Sequence, residues 1–248
     1  MGRTATFDRA DAVRAARGVF WDRGYEATSI PDLEHATGLK RSSLYHAFES
    51  KKGLFDEVVE NYLAESVRPL LARITSEEAK PDALNDYFAT LASSISSTDR
   101  HPGCLLIAAA NAPVGTDPVV SAAISGYYDE LFVAFRAGLG RARPHLTETE
   151  TGSQARTLVA LTISALALAR TNKTLALANL QAAQALLAAT ALPASSVRHI
   201  AERAVAGCTL SDITHARHDR TPQKSPAPRR LTLGPKPPQT GKMRPGSN

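Results

Sequence analysis

Four hydrogen-bond donors stand in a row at Lys40, Arg41, Ser42 and Ser43, with Tyr45 and His46 a turn further on and Lys51 and Lys52 beyond them. Nothing in that set is spaced for covalent catalysis. What these side chains share is the ability to offer N–H and O–H groups and positive charge to oxygen and nitrogen acceptors, which duplex nucleic acid presents on its phosphates and base edges. Arg41 carries a planar fork that pairs with guanine O6 and N7, worth about 1 to 3 kcal/mol of discrimination. Arg41 and Ser42 are therefore read as facing bases. Lys40, Ser43, Tyr45, His46, Lys51 and Lys52, with Thr28 and Ser29 ahead of them, are read as phosphate contacts that set register. Other readings stand beside these: Tyr45 buried in the core, His46 merely exposed, and Lys51 with Lys52 a solvated pair.

The elements that must position these donors are two short helices about a tight turn, in the stretch SIPDLEHATGLKRSSLYHAF from Ser29 to Phe48. Ser29 followed by Asp32 is a capping pattern, and Pro31 falls in a first turn where its missing N–H costs little. Leu33 and Ala36 supply the inward face of the first helix, Leu44 and Phe48 that of the second, and Gly38 sits where the chain reverses. This is a helix-turn-helix, a unit whose second helix offers its N-terminal residues to the major groove. A preceding helix from about Asp8 to Arg23, with Val13, Ala16, Val19 and Phe20 on one stripe and Gly24 as its stop, makes a three-helix unit. Trp21 and Tyr25 are expected to close its base. Lys51 and Lys52 then occupy the first turn of a fourth helix, where they oppose the positive end of its dipole by about 0.3 to 1 kcal/mol each. An external phosphate would offset that cost.

The same residues carry a resemblance. Glu26-Ala27-Thr28-Ser29-Ile30, Asp32-Leu33, Ala36-Thr37-Gly38-Leu39, Ser43-Leu44-Tyr45, Phe48, Ser50-Lys51 and Leu54-Phe55 resemble the N-terminal domain of the TetR family of transcriptional regulators, over residues 8–60. The family often has His immediately before the Phe, whereas this chain has Ala47 there and His46 one place earlier. The resemblance implies a repressor that binds a palindromic double-stranded DNA operator as a homodimer paired through its last two folded helices. It also implies a cavity among the middle helices for a small apolar or aromatic effector, which would shift the dimer toward states whose heads no longer fit two half-sites about one helical turn apart. Candidates for its lining are Tyr87, Phe88, Cys104, Asn111, Tyr127, Tyr128, Phe132 and Thr162. The aromatic members would serve equally as core, and Asn111 and Thr162 are polar groups inside apolar helices that need partners.

Beyond the first 52 residues the chain reads as helix after helix, so the fold class is all-α. The fourth helix carries Leu54, Phe55, Val58, Val59, Tyr62 and Leu63 and is expected to end before Pro69. Pro81-Asp82 opens another, with Leu84, Tyr87, Phe88, Leu91 and Ile95 inward. Residues 104–112 form a short apolar helix stopped by Pro113. Asp117-Pro118 starts a long one whose apolar face runs through Val119, Val120, Ala123, Ile124, Tyr127, Tyr128, Leu131, Phe132, Phe135 and Leu139. Helices from Gln154 to Arg170 and from Thr174 to Leu192 are apolar on more than one side, so that the outer face is covered by a second copy of the chain or, in the alternative reading, the helices are central to a monomer. A further amphipathic helix is expected near residues 194–207. The organisation expected is a DNA-binding domain at 1–52, a helical ligand-binding and dimerisation domain at 53–210, and a disordered, basic, Pro-rich tail at 211–248.

Charge and composition narrow the class further. Of the net charge of +5, residues 212–248 contribute +6 through eight Lys/Arg against Asp212 and Asp219, leaving the rest at −1. The local cluster at Lys40, Arg41, Lys51 and Lys52 is therefore the argument for nucleic acid, and bulk basicity is not. Cys104 and Cys208 are in no metal-ligand spacing, the seven histidines are dispersed, and no phosphate-cradling or nucleophile motif is present, so no catalytic residue, metal or cofactor is expected. The N-terminus has no apolar signal core and the longest apolar run is too short for a bilayer, which points to the cytoplasm. Two rival readings remain: a small-molecule-binding protein or enzyme whose N-terminal unit serves assembly, and a non-specific DNA-coating protein driven by the tail.

Overall fold

The computed structural model describes residues 7–189, which are helical, with ten α-helices and no strand among them. The chain divides into two units at residue 193, and the described residues belong to the first. The expected helix near 194–207 and the basic tail lie outside the described residues.

Three helices, α1 (Arg9–Arg23), α2 (Ile30–Thr37) and α3 (Arg41–Phe48), form a head. Asp8 starts α1 by accepting hydrogen bonds from the amides of Ala10 at 2.8 Å and Asp11 at 3.2 Å. Ala12, Val13, Ala16 and Phe20 are its buried stripe, Val19 lying only partly buried at the edge. The capping box of α2 is present, with the Asp32 amide donating to Ser29 Oγ at 3.2 Å and the Ser29 amide to Asp32 Oδ2 at 2.9 Å. Gly38 ends α2 at φ 69° and ψ 5°, a left-handed backbone that glycine adopts without the steric penalty of about 1 kcal/mol other residues meet. Beneath the head, Phe20 and Tyr25 pack against Phe55 and Trp21 against Tyr62, with ring centroids 5.0 to 5.1 Å apart.

The fourth helix does not stop before Pro69. It runs as α4 (Lys51–Tyr62), a π turn (Leu63–Val67) and α5 (Arg68–Thr75). The Arg68 amide reaches back five residues to the Leu63 carbonyl, and Pro69 then falls in the first turn of α5, where it has no amide bond to lose.

The body is completed by α6 (Ala83–Ser97), α7 (Leu105–Ala110), a 3-10 turn (Pro113–Thr116), α8 (Pro118–Ala142), α9 (Glu148–Leu168) and α10 (Lys173–Ala189). Central α8 packs against α5, α6, α7 and α9, and α10 covers α9 and α6. Two residues of its expected apolar face point outward, Val119 at 57% and Tyr128 at 38% exposure, while Ala134 and Gly138 turn in. The reason is close approach: a Cβ on Gly138 would meet Ile74 Cγ2 at 2.8 Å and Leu84 Cβ at 3.1 Å, so the contact with α5 and α6 admits no side chain there. Helix α9 starts before the expected Gln154, because Thr147 and Glu150 form a second capping box.

Where α8 ends, Arg143 is buried, and its guanidinium donates to Gln154 Oε1 at 2.7 Å, to the Leu186 carbonyl at 3.1 Å and to the Leu187 carbonyl. The cation thus lies among carbonyls of the last described turn of α10, where positive charge interacts favourably with the helix dipole. Replacing Arg143 by Ala removes these charge-assisted hydrogen bonds, and is expected to lower unfolding free energy by about 2 kcal/mol. In a thermal melt that loss would appear as a drop of about 4 to 8 °C.

Candidate nucleic-acid interface

The donor row lies on the first turn of α3, and the way this helix begins is unusual. Its N-cap is Lys40, which supplies no side-chain acceptor. The acceptor comes from α2 instead: Glu34 Oε1 takes the Arg41 amide at 2.7 Å. The cap thereby fixes the two helices of the motif to each other and satisfies an amide that would otherwise need water. Sequence reading missed Glu34, although a helix opening on Lys with no Ser, Thr, Asp or Asn at the cap was a signal that an acceptor had to arrive from elsewhere.

Lys40, Arg41, Ser42, Tyr45 and His46 are all exposed, and Ser43 is half-buried. Buried Leu44 and Phe48 anchor the opposite face. Arg41 and Tyr45, one turn apart, form a pair in which the guanidinium sits 5.5 Å from the centre of the phenol ring. Stacking of this kind limits the fork's freedom while leaving its N–H edge open. Tyr45, at 39% exposure, is not a core residue.

Other expected contacts make bonds within the protein, which takes Thr28 and Lys52 out of reach and leaves the exposed Ser29 and the half-buried Lys51 open to a further partner. Thr28 is 2% exposed and its hydroxyl donates to the Gly24 carbonyl at 2.7 Å, so it closes the turn after α1 and has no access to a phosphate. The Ser29 hydroxyl donates to Asp32 Oδ2 at 2.6 Å as part of the capping box. Lys51 is half-buried with its ammonium 4.4 Å from the centre of the Tyr25 ring, and burial, opposed by the charge of Glu26, holds it below the ordinary lysine pKa. Lys52 reaches Asp56 Oδ1 at 2.6 Å and Asp117 Oδ1 at 2.8 Å. Neither lysine is simply solvated.

The eight residues expected to line a ligand cavity are dispersed. Phe88, Cys104, Tyr127 and Thr162 are core, with the Thr162 hydroxyl donating to the Leu158 carbonyl at 2.9 Å. Tyr62 and Tyr127 lie beside the Cys104 thiol, which burial pushes above its ordinary pKa. Asn111 is exposed at the end of α7 and donates to the Ile107 carbonyl at 3.0 Å. Tyr128 faces outward, and Phe132 packs under the Arg156 guanidinium at 5.0 Å. Of the eight, Tyr87 borders a cleft of about 380 Å³ between α5 and α6, together with Leu70, Arg73, Lys80 and Asp86. Among the described residues no group of three His, Cys, Asp or Glu side chains could hold a metal ion, and no helix is long and apolar enough to cross a membrane.

Residues 12–58 match the family described as bacterial regulatory proteins, tetR family. The chain is 42% identical over 107 residues to the HTH-type transcriptional repressor ComR of Escherichia coli, a match that covers 43% of this chain and spans about half (51%) of ComR's length. It is 31% identical over 143 residues to the HTH-type transcriptional regulator YezE of Bacillus subtilis, covering 58% of this chain and 74% of that one. Among solved structures, a cysteine mutant of the TetR family transcriptional regulator CifR complexed with 26-base-pair double-strand operator DNA superposes with a TM-score of 0.62 at 27% identity, over 77% of this chain and 100% of that one.

Because Glu34 caps α3 from outside the helix, Glu34→Ala is expected to cost about 1 kcal/mol of stability in denaturant titration. Glu34→Gln keeps an acceptor at the same place and should lose less.

Proposed function

As the chain belongs to the TetR family of bacterial regulatory proteins, we propose that it is a cytoplasmic transcriptional repressor that binds an operator as a homodimer and releases it in response to a small molecule. It acts by binding, without catalysis. One observation carries the reading. Among the described residues of the head, Arg9 pairs with Glu57, Arg14 with Asp11 and Glu65, Arg17 with Glu65, Arg23 with Asp32, and Lys52 with Asp56 and Asp117. Lys40, Arg41 and Lys51 have no carboxylate of the described residues within ion-pair distance, and all three lie on α3 or at its flanks. Positive charge is thus neutralised over the head and left unbalanced where a groove would meet it.

In this reading Arg41 and Ser42 meet base edges, while Lys40, Ser43, Tyr45, His46 and Lys51 meet phosphates, with Ser29 at the start of α2. Two heads must be held at the spacing of two half-sites, and α9 and α10 have the surface for it. Each buries one face, through Leu158, Val159 and Ala165 on α9 and Ala176, Leu180 and Ala183 on α10. The other face exposes Ala160 and Ala167 on α9, and Leu175, Ala178, Ala182 and Ala185 on α10. Small apolar side chains let helices of a second copy approach closely. The effector is proposed to enter at the cleft beside Tyr87, where Arg73, Lys80 and Asp86 favour a molecule with a charged or polar end.

Selection of bound sequences from a random duplex library is expected to recover an inverted repeat. Arg41→Ala should then weaken binding to the recovered site by tenfold or more, with helicity unchanged, and relax the preference at one position in each half-site. Recovery of no motif, or indifference to Arg41→Ala, would remove this reading. Ala182→Glu, which places a charge on the outer face of α10, should yield monomers by sedimentation and abolish binding to the full repeat.

A further inference from the structure

Lys52 stands in the first turn of α4, directly after the recognition helix, yet its ammonium is turned toward the body. It meets Asp56, one turn on in the same helix, at 2.6 and 2.8 Å, and Asp117, which belongs to the body, at 2.8 Å. Burial works against the charge on Lys52, but the hydrogen bonds to Asp117 and Asp56 outweigh it and hold its pKa above the ordinary lysine value. The same interaction pulls the Asp117 carboxyl below its ordinary range.

Asp117 has a second task. It is the N-cap of α8, accepting from the amides of Val119 at 3.0 Å and Val120 at 3.2 Å, so its position is the position of the start of α8. The head grips the segment just before it as well. Glu26, between α1 and α2, accepts the Val114 amide at 2.9 Å, and the Trp21 indole donates to the Gly103 carbonyl at 3.2 Å.

We propose that Asp117 withholds Lys52 from DNA, so that the number of phosphates the head can neutralise depends on where the 113–117 segment and the start of α8 sit. The i,i+4 partner Asp56 does not suffice alone, since a single half-buried pair one turn apart on a helix contributes only a few tenths of a kcal/mol, about 0.2 to 0.5, and yields to a phosphate. Whatever moves α8 away from α4 therefore frees a cation beside the recognition helix, and whatever draws them together removes one. This inference rests on the DNA-binding reading above and adds to it a contact between body and head that sets binding strength.

Asp117→Asn gives the test, because Asn caps a helix as well as Asp does while carrying no charge. The full-length wild type, Lys52→Gln, Asp117→Asn and the double variant would be titrated with a duplex carrying the recovered repeat, across salt concentrations. Wild type and Lys52→Gln are expected to share one slope of log K against log salt. Asp117→Asn should be steeper by about 1.8, about 0.9 for the Lys52 freed in each of the two heads, equivalent to about twelvefold more affinity lost between 50 and 200 mM salt. The double variant should return to the wild-type slope. An unchanged slope in Asp117→Asn would overturn the proposal, as would a shallower slope in Lys52→Gln, which would mean that Lys52 already contacts phosphate. Thermal melts check that the cap survives, and Asp117→Ser, which also caps without charge, must reproduce the steeper slope. Absence of binding by all four proteins at every salt concentration would overturn the DNA-binding reading itself, and this inference with it.

Discussion

The structure depends on how its positive charge is balanced. An exposed guanidinium or ammonium gains only about 0.2 to 1 kcal/mol from a neighbouring carboxylate, so the pairs on the head add little to stability individually. Their effect is on distribution. With Arg9 on Glu57, Arg17 on Glu65 and Arg23 on Asp32, the sides of the head carry little net field. The face of α3 is left with its cations unbalanced, at the helix end where the proposed function puts the contacts to bases.

Holding that face in position is a packing problem. Leu33, Leu44 and Phe48 seal the motif against Leu54, Val58 and the aromatic contacts of Phe20, Tyr25 and Phe55. Burial of each such side chain contributes about 1.5 to 3 kcal/mol, well above any ion pair here. Glu34 then supplies what packing cannot, an acceptor for the first amide of a helix that lacks a cap of its own. Head and body meet through a few directed bonds, at Trp21, Glu26, Lys52 and Arg170, the last donating to the Asp22 carbonyl. Most of these converge on residues 103–117, so that short segment is the part of the body the head can sense.

The body shows why residue type at helical spacing is a poor guide to a cavity. Tyr87, Phe88 and Phe135 pack edge to face or tilted at 5.2 to 5.5 Å and fill the space between α6 and α8. Thr162, which as a buried hydroxyl needed a partner, found it four residues back in its own helix. Tyr62 and Tyr127 lie beside the buried Cys104. Polar atoms inside an apolar helix require satisfaction, and neighbouring protein meets that requirement as readily as a ligand does.

Local chemistry was legible from the residues in order. The capping box at Ser29, the reversal at Gly38, the inward Leu44 and Phe48 and the long helix opening at Asp117 all depend on neighbours within about four positions, where steric and hydrogen-bonding rules act directly. Pairing is different in kind, because attraction between charges follows distance in space and ignores separation along the chain. Lys51 and Lys52 are adjacent and alike, yet one lies over Tyr25 and the other is held by Asp117 from a different part of the fold. Glu57 neutralises Arg9 from 48 residues away, and Gly138 is small because Ile74 and Leu84 pass beside it. The sequence alone determined which segment carries the donors and how its helices begin and turn. Only the folded chain decided which of those donors remain available, since that depends on what other segments bring within about 3 Å of them.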